Sequence, residues 1–285
     1  RGVFSLGGDL GGTWSWNSYY QYGKVDIWLT TNSNVKWPNY NLAIDAVENP
    51  LNGAIVCRST LTDPGNGCVP LNIFGVGVAS PEAIKYVNAQ NHENWQTQQL
   101  TQQVVAASAQ GTLPFGFPAG DIAVAFGAEY RTEKGVAENS PTTKQRIYSV
   151  GNFERMRGKY NVKEGFVEVD VPLLDQSVVD QLSFNAALRV TDYSTSGTVK
   201  TWKVGLTSQL NSDIRVRGTV SRDIRAPNLN ELFSEGLSTL SSAIDPRTGI
   251  NQAIFSFSSG NPNLTPEKAT TYSAGIVLTP GFAPG

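Results

Sequence analysis

The chain has 285 residues, enough for one large β domain or two ordinary ones, so core burial is not what limits it. Only 16% of the residues are charged, against roughly 25% in an ordinary soluble domain, yet mean hydropathy is -0.22 and there are 28 glycines. Polar positions are therefore filled by Ser, Thr, Asn, Gln and Gly, and a net charge of -2 with a pI near 5.5 excludes the basic field a nucleic-acid partner needs. No apolar run approaches the length of a membrane helix, although a transmembrane strand needs only roughly 9 to 11 residues and signals itself by alternation. Arg1-Gly2-Val3-Phe4 opens in mid-pattern and Pro284-Gly285 stops in a turn, so both ends read as cuts in a longer chain.

In chain order, Val3 to Asp9 is a short strand, and Leu10-Gly11-Gly12-Thr13 is a tight turn. Trp14, Trp16, Ser18, Tyr20 and Tyr22 then alternate with smaller or polar residues, an aromatic face that suits either a sandwich core or the girdle of an outer-membrane strand. Residues of about 31–94 form a long polar loop with one helical turn at Ser80-Pro81-Glu82-Ala83-Ile84, where Ser80 caps and Pro81 takes the first helical position. So long a structureless loop counts against a compact soluble domain and fits an extracellular loop better. It holds both cysteines, Cys57 and Cys68, with Asp63-Pro64-Gly65-Asn66-Gly67 between them. They read as one disulfide, implying an oxidising compartment, the alternative being two separate thiols.

Trp95 to Thr112 returns as a strand, Leu113 to Gly120 connects, and Ile122, Val124, Phe126, Ala128 and Tyr130 mark the next apolar face. A polar loop over Glu133 to Tyr160 follows. Val167, Val169 and Val171 then oppose Glu164, Phe166, Glu168 and Asp170, and Leu182 to Val190 alternates most cleanly of all. Asp192 to Gly197 makes a short hairpin loop, Trp202, Val204 and Leu206 descend, and Asn211-Ser212-Asp213 turns into Ile214, Val216 and Val220. After a long loop, Tyr272, Ala274, Ile276 and Leu278 form the last strand, so that a strand-loop-strand unit covers about 214–279. The sum is an all-β chain of about nine antiparallel strands joined alternately by short turns and long polar loops. That asymmetry predicts a transmembrane β-barrel segment with long extracellular loops and short periplasmic turns.

Chemistry is hard to place. Glu129, Glu164, Glu168 and Asp170 could be an acid and base pair for sugar hydrolysis, but they fall in phase with the wet face of a sheet. His92, the lone histidine, has no metal-ligand spacing around it, and Gly75-Val76-Gly77 lacks the third glycine and the strand-to-helix context of a dinucleotide loop. No catalytic residue, metal site or cofactor is expected. Asn263-Leu264-Thr265 matches a glycosylation acceptor only weakly.

Two segments stand out: Ser221-Arg222-Asp223-Ile224-Arg225-Ala226-Pro227-Asn228-Leu229-Asn230-Glu231-Leu232-Phe233 and Gly260-Asn261-Pro262-Asn263-Leu264-Thr265-Pro266-Glu267-Lys268. Together they resemble the paired signature of the TonB-dependent outer-membrane receptors, an Arg-Ala-Pro strand end and a Gly-Asn-Pro-x-Leu-x-Pro-Glu strand start. Ala125 to Arg131 and the cysteine loop resemble the same family. The resemblance spans essentially the whole chain, residues 1–285, as part of the barrel domain. It implies a barrel of roughly 22 strands closed by a plug, which takes up a scarce nutrient such as an iron chelate, cobalamin or an oligosaccharide using work delivered through TonB. The expected partners are outer-membrane lipid, the plug and the TonB complex, the latter two through segments outside this chain, and the expected location is the outer membrane of a Gram-negative bacterium. Arg189, Arg215, Arg217, Arg222, Arg225, Asn228, Glu231 and Glu267 are the expected lumen or plug contacts, and Pro227 is expected to end the hydrogen-bond ladder and direct the chain inward or across the mouth. One departure is Tyr272-Ser273, where the family often has Tyr-Glu. The rival readings are a passive porin-like barrel and a secreted β-sandwich carbohydrate-active protein.

Overall fold

The computed structural model describes residues 1–150 and 152–279. Nine strands form one antiparallel sheet: β1 (Gly2–Gly11), β2 (Trp14–Thr30), β5 (Trp95–Phe117), β6 (Gly120–Asn139), β7 (Met156–Asp175), β8 (Gln181–Tyr193), β9 (Gly197–Asn211), β10 (Ile214–Arg225) and β13 (Glu267–Leu278), in that spatial order. Each pairs with the strand before it and the strand after it, so β1 and β13 are the two edges and the sheet is an open segment of wall. No helix among the described residues is long and apolar enough to cross a membrane.

Connections at one end are short, at residues 12–13, 118–119, 176–180 and 212–213. At the other end three are long, residues 31–94, 140–155 and 226–266, and one, Ser194–Ser196, is tight. Within 31–94 lie α1 (Trp37–Ile44), a small hairpin of β3 (Ala46–Glu48) and β4 (Ile55–Cys57), and α2 (Pro81–Val87). The expected helical turn is α2, whose first turn is capped by the Ser80 hydroxyl accepting from the Ala83 N–H at 3.1 Å. α3 (Pro141–Lys144) sits in the second loop, and α4 (Leu229–Phe233) with a hairpin of β11 (Leu237–Ile244) and β12 (Asn251–Ser258) fills the third.

Two boundaries differ from the sequence reading. β5 runs on to Phe117 through a register shift between Thr112 and Gly116, so the connection to β6 is only Pro118–Ala119. The segments flanking residues 140–155 are also ladder rather than loop, with Glu133 opposite Tyr160 and Ala137 opposite Met156. In the first, Leu113, Phe115 and Phe117 alternate with Pro114 and Gly116, residues that read as a turn; in the second, Lys134, Glu138, Arg157 and Lys159 occupy the side that is apolar elsewhere, so the contrast that marks period two is lost, yet backbone pairing continues across both.

Register sorts side chains onto two faces. One row of the apolar face runs Trp16, Ala109, Phe126, Val167, Leu188 and Trp202 from β2 to β9, and another runs Val204, Val220 and Tyr272. Large side chains of this face stand in the open, Tyr272 at 77% and Ile276 at 69% exposure on the edge strand β13, and among the described residues no second layer packs over them. A wall of rings and aliphatics this broad, backed by a polar face, is the pattern of a strand set whose outside meets lipid.

Cys57 and Cys68 form a disulfide, their Cα atoms 6.2 Å apart. It lies outside the nine-stranded ladder, so its loss should loosen the loop and leave the wall intact. Cys57→Ser is expected to cost the loop about 3 kcal/mol of closure entropy. Limited proteolysis of the full-length protein should then cut within residues 58–67 while the folded barrel persists; an uncut loop would show the crosslink to be dispensable.

Candidate functional site

The two motif segments fold into one clasp at the long-loop end. β10 stops at Arg225, and Ala226-Pro227 carry the chain off the ladder, Pro227 having no N–H to donate. Asn228 then caps α4: its side chain accepts from the Glu231 N–H at 2.9 Å, while the Glu231 carboxylate accepts from the Asn228 N–H at 2.8 Å. That N–H, followed by the Arg225 guanidinium, holds the Glu231 carboxyl below the usual glutamate range. Arg225 donates to Glu231 at 2.9 and 3.1 Å and through Nε to Glu267 at 3.1 Å, where Glu267 is its register partner at the start of β13. One guanidinium thus fixes a strand end, a helix start and the returning strand. Water screens these exposed groups, so their effect is positional.

The second motif closes the clasp through its backbone. Gly260 N–H donates to Ser234 O at 3.0 Å and Asn261 N–H to Glu231 O at 2.8 Å. A Cβ on Gly260 would stand 2.6 Å from Ser234 N and 2.8 Å from Leu232 C, which only glycine avoids.

α4 faces inward onto the polar side of the sheet. Leu232 is buried, and Phe233 lies on Gly158 of β7 so closely that an added Cβ there would overlap its ring. Leu229 approaches Gly135 of β6. The helix reaches β7 and β6 past β8 and β9, whose tight Ser194–Ser196 turn offers no long loop to block it. Backbone and side chains then anchor the crossing, with Glu235 N–H donating to Arg155 O at 2.9 Å, Ser234 Oγ to Glu154 at 2.7 Å, and Arg146 to Gly236 O at 2.7 Å. The inward course expected after Pro227 is therefore observed.

The other two long loops join the same mouth. Trp37 N–H donates to Ile147 O and Ser149 N–H to Val35 O, both at 2.8 Å, and Asn34 bonds Ser149 and Val150. Beneath them Gln96, 2% exposed, donates to Asn139 Oδ1 at 2.8 Å and Glu154 O at 2.6 Å, while Asn139 donates to Phe153 O at 2.7 Å. Thr143 Oγ1 donates to the fully buried Asn94 at 2.8 Å.

Below the mouth the polar face carries a connected network. Glu129 and Glu164 face each other across β6 and β7, an arrangement of like charges that needs cations. Arg131 reaches Glu129 at 2.7 Å and Glu133 at 3.4 Å, and Arg189 reaches Glu164 at 2.9 Å while stacking 5.2 Å over Phe166. Tyr19 donates to Glu129 at 3.2 Å, and Gln21 links through Gln102 to Glu133. These carboxylates are paired members of a wet face, as their phase in the sequence implies.

Among the eight expected lumen residues, Arg225, Asn228, Glu231 and Glu267 come together in the clasp. Arg189 joins the polar network, and Arg215 and Arg217 lie on the same face toward the short-turn end, Arg215 donating to Gln209 at 2.7 Å. Arg222 does not belong with them. It pairs in register with Trp202 and Thr270 and shares the face of Val220 and Ile224, so it stands on the apolar wall. Period two splits the motif between the two faces of the sheet. Tyr19, Gln21, Gln102, Arg131 and Glu133 join the network without any motif to mark them, their alternation with the apolar face being the one signal in the sequence.

Comparison with known proteins agrees with this architecture. The family model for the TonB dependent receptor-like β-barrel matches residues 2–283. A search of curated protein sequences returned no match. Among solved structures, the siderophore receptor PirA from Acinetobacter baumannii superposes with a TM-score of 0.56 at 17% identity, over 98% of this chain and 32% of that one. A mutant of the ferric enterobactin receptor PfeA from Pseudomonas aeruginosa gives 0.58 at 14% identity, again over 98% and 32%. The chain thus spans about a third of the length of these receptors. With a family model covering almost every residue and a nine-stranded wall of matching fold, the chain belongs to the TonB-dependent receptor family, as part of its β-barrel.

Proposed function

We propose that this chain is one stretch of the barrel wall and mouth, residues 1–285, of an outer-membrane receptor in a Gram-negative bacterium. The receptor takes up a scarce small-molecule nutrient, with work delivered through the TonB complex to a plug that fills the lumen. The observation that carries this reading is the clasp: the paired motif segments hold α4 across the polar face of β6 and β7, at the end where the three long loops meet. Binding and gating rather than bond chemistry are the work of such a mouth, with Arg189, Arg215 and Arg217 on the wall a plug would contact.

An iron chelate, cobalamin or an oligosaccharide is the ligand class. The solved neighbours are a siderophore receptor and a ferric enterobactin receptor, which puts ferric chelates first in the assay. Cells carrying the full-length protein should accumulate labelled ligand, and accumulation should stop when a protonophore collapses the inner-membrane gradient or TonB is deleted. Uptake that persists under both treatments would replace this reading with a passive pore.

A further inference from the structure

The polar face changes character along the strands. In its upper half, toward the long loops, Arg131 and Arg189 neutralise Glu129 and Glu164. In its lower half four charges stand apart: Glu168 and Asp170 on β7, Lys203 on β9 and Arg217 on β10. Among the described residues none of these four enters an ion pair within 4.0 Å. Register explains why. Glu168 and Lys203 share a row with Ala187 between them, two strand spacings or roughly 10 Å apart, and Arg217 lies one strand further on, beside Thr207. The acids therefore occupy one side of the lower wall and the bases the other. None of the four belongs to either motif segment.

Around these charges the same face is built of small residues. Ala123 and Ala125 on β6, Ala187 on β8, Gly205 on β9, and Ser273 and Gly275 on β13 all fall in its rows. Arg217 lies along this surface, since a Cβ on Gly275 would meet its Nε at 3.1 Å. Nearby the face opens into a hollow of about 400 Å³, lined by Asp170, Ser183, Thr207 and Arg215 among others. Small side chains gain nothing beside bulk water, whereas an occupant packed to protein density can bring its backbone against them. Such an occupant also strips water from the four charges, so it must match them.

We propose that the lower lumen wall is a seat of fixed polarity for the plug of the full-length receptor: Glu168 and Asp170 take basic side chains of the plug, and Lys203 and Arg217 take acidic ones. The chain spans about a third of the receptors it superposes on, and the occupant is the plug expected outside this chain. The proposal rests on the import reading, which supplies the plug, and goes beyond it by fixing which charge the plug presents to which strand. A plug turned about the barrel axis would set like charges against each other, so the seat also selects its orientation.

Hydrogen exchange of the full-length protein in detergent tests this, with two variants that each remove one pole. In E168Q/D170N, a plug segment carrying Lys or Arg should exchange faster; in K203Q/R217Q, a different segment carrying Asp or Glu should. Each acceleration should be roughly tenfold to a hundredfold, the loss of one or two charge-assisted hydrogen bonds. Lys200→Gln, on the opposite face of β9, should leave the plug as in wild type. Heat-resistant migration of the folded barrel on a gel verifies each variant, and misfolding of one pair leaves the other to decide. Unchanged plug exchange in a folded variant pair, the same segment accelerated by both pairs, a segment bearing the same charge as the wall residues removed, or equal acceleration in Lys200→Gln would each overturn the seat. Protonophore-sensitive uptake by the wild-type strain tests import alone, so a passive pore and a misassigned seat give different results.

Discussion

Replacing Gly260 with Ala is expected to release α4 from the mouth while the strands beneath stay paired. The new Cβ would press on Ser234 N and on backbone atoms of Leu232 and Phe233, none of which can rotate away. Relief requires parting the two motif segments, with loss of the Gly260–Ser234 and Asn261–Glu231 hydrogen bonds and of the burial of Leu232. Overpacking and two lost backbone bonds together suggest about 2–4 kcal/mol of local destabilisation. Hydrogen exchange at residues 229–235 of the full-length protein should therefore accelerate by roughly thirtyfold to several hundredfold. Unaltered exchange there would mean that the clasp does not hold the helix. Because Arg225 still bridges Glu231 and Glu267 in this variant, the experiment also separates backbone contact from ion pairing.

Gln96→Leu is expected to uncouple the first two long loops. The change leaves Asn139 Oδ1, Glu154 O and the Gln98 amide without the partner each has in the native protein, in a place almost closed to water. A buried polar group left unpaired costs about 1–3 kcal/mol, so a local loss of about 2–4 kcal/mol follows. Protease sensitivity should rise in residues 140–155 and in the Glu93–Asn94 turn that Ser140 and Thr143 hold. Gln96→Glu, which keeps the shape but loses the donor, should behave like the leucine variant; native protease resistance in both would show the network to be incidental.

What the sequence made legible and what it hid divide along a physical line. The strands were readable wherever one side of the sheet is apolar, as along Leu182 to Val190, because period two then leaves a contrast. Past that band the outer side turns charged at Lys134, Arg157 and Lys159, so the pairing of Glu133–Ala137 with Met156–Tyr160 shows no apolar contrast between its two faces. α4 is too short for a helical period, although Asn228 and Glu231, three residues apart, carried its capping signal. The β11–β12 hairpin, paired from Leu237 to Ile244 with Ser258 to Asn251, has no core face to impose alternation. The clasp depends on Gly260 approaching a backbone segment nearly thirty residues earlier in the chain, a contact that spacing alone does not encode. Arg222 is the opposite case: its side of the strand follows from counting two residues on from Val220, although it sits inside a motif whose neighbouring residues face the lumen.

The alternation of short and long connections also sets an order of assembly. Joining β2 to β5 closes a loop about five doublings longer than the turn between β1 and β2, an entropic handicap of about 3 kcal/mol. The pairs β1–β2, β5–β6, β7–β8 and β9–β10 meet no such handicap and are the natural first units, each a hairpin with its turn at the same end. The β7–β8 and β9–β10 hairpins join directly through the tight Ser194–Ser196 turn, whereas the other unions must wait for distant segments to find one another, β10 and β13 across residues 226–266 among them. The wall therefore grows by blocks of two strands and one of four, and its slowest steps are those that also build the mouth.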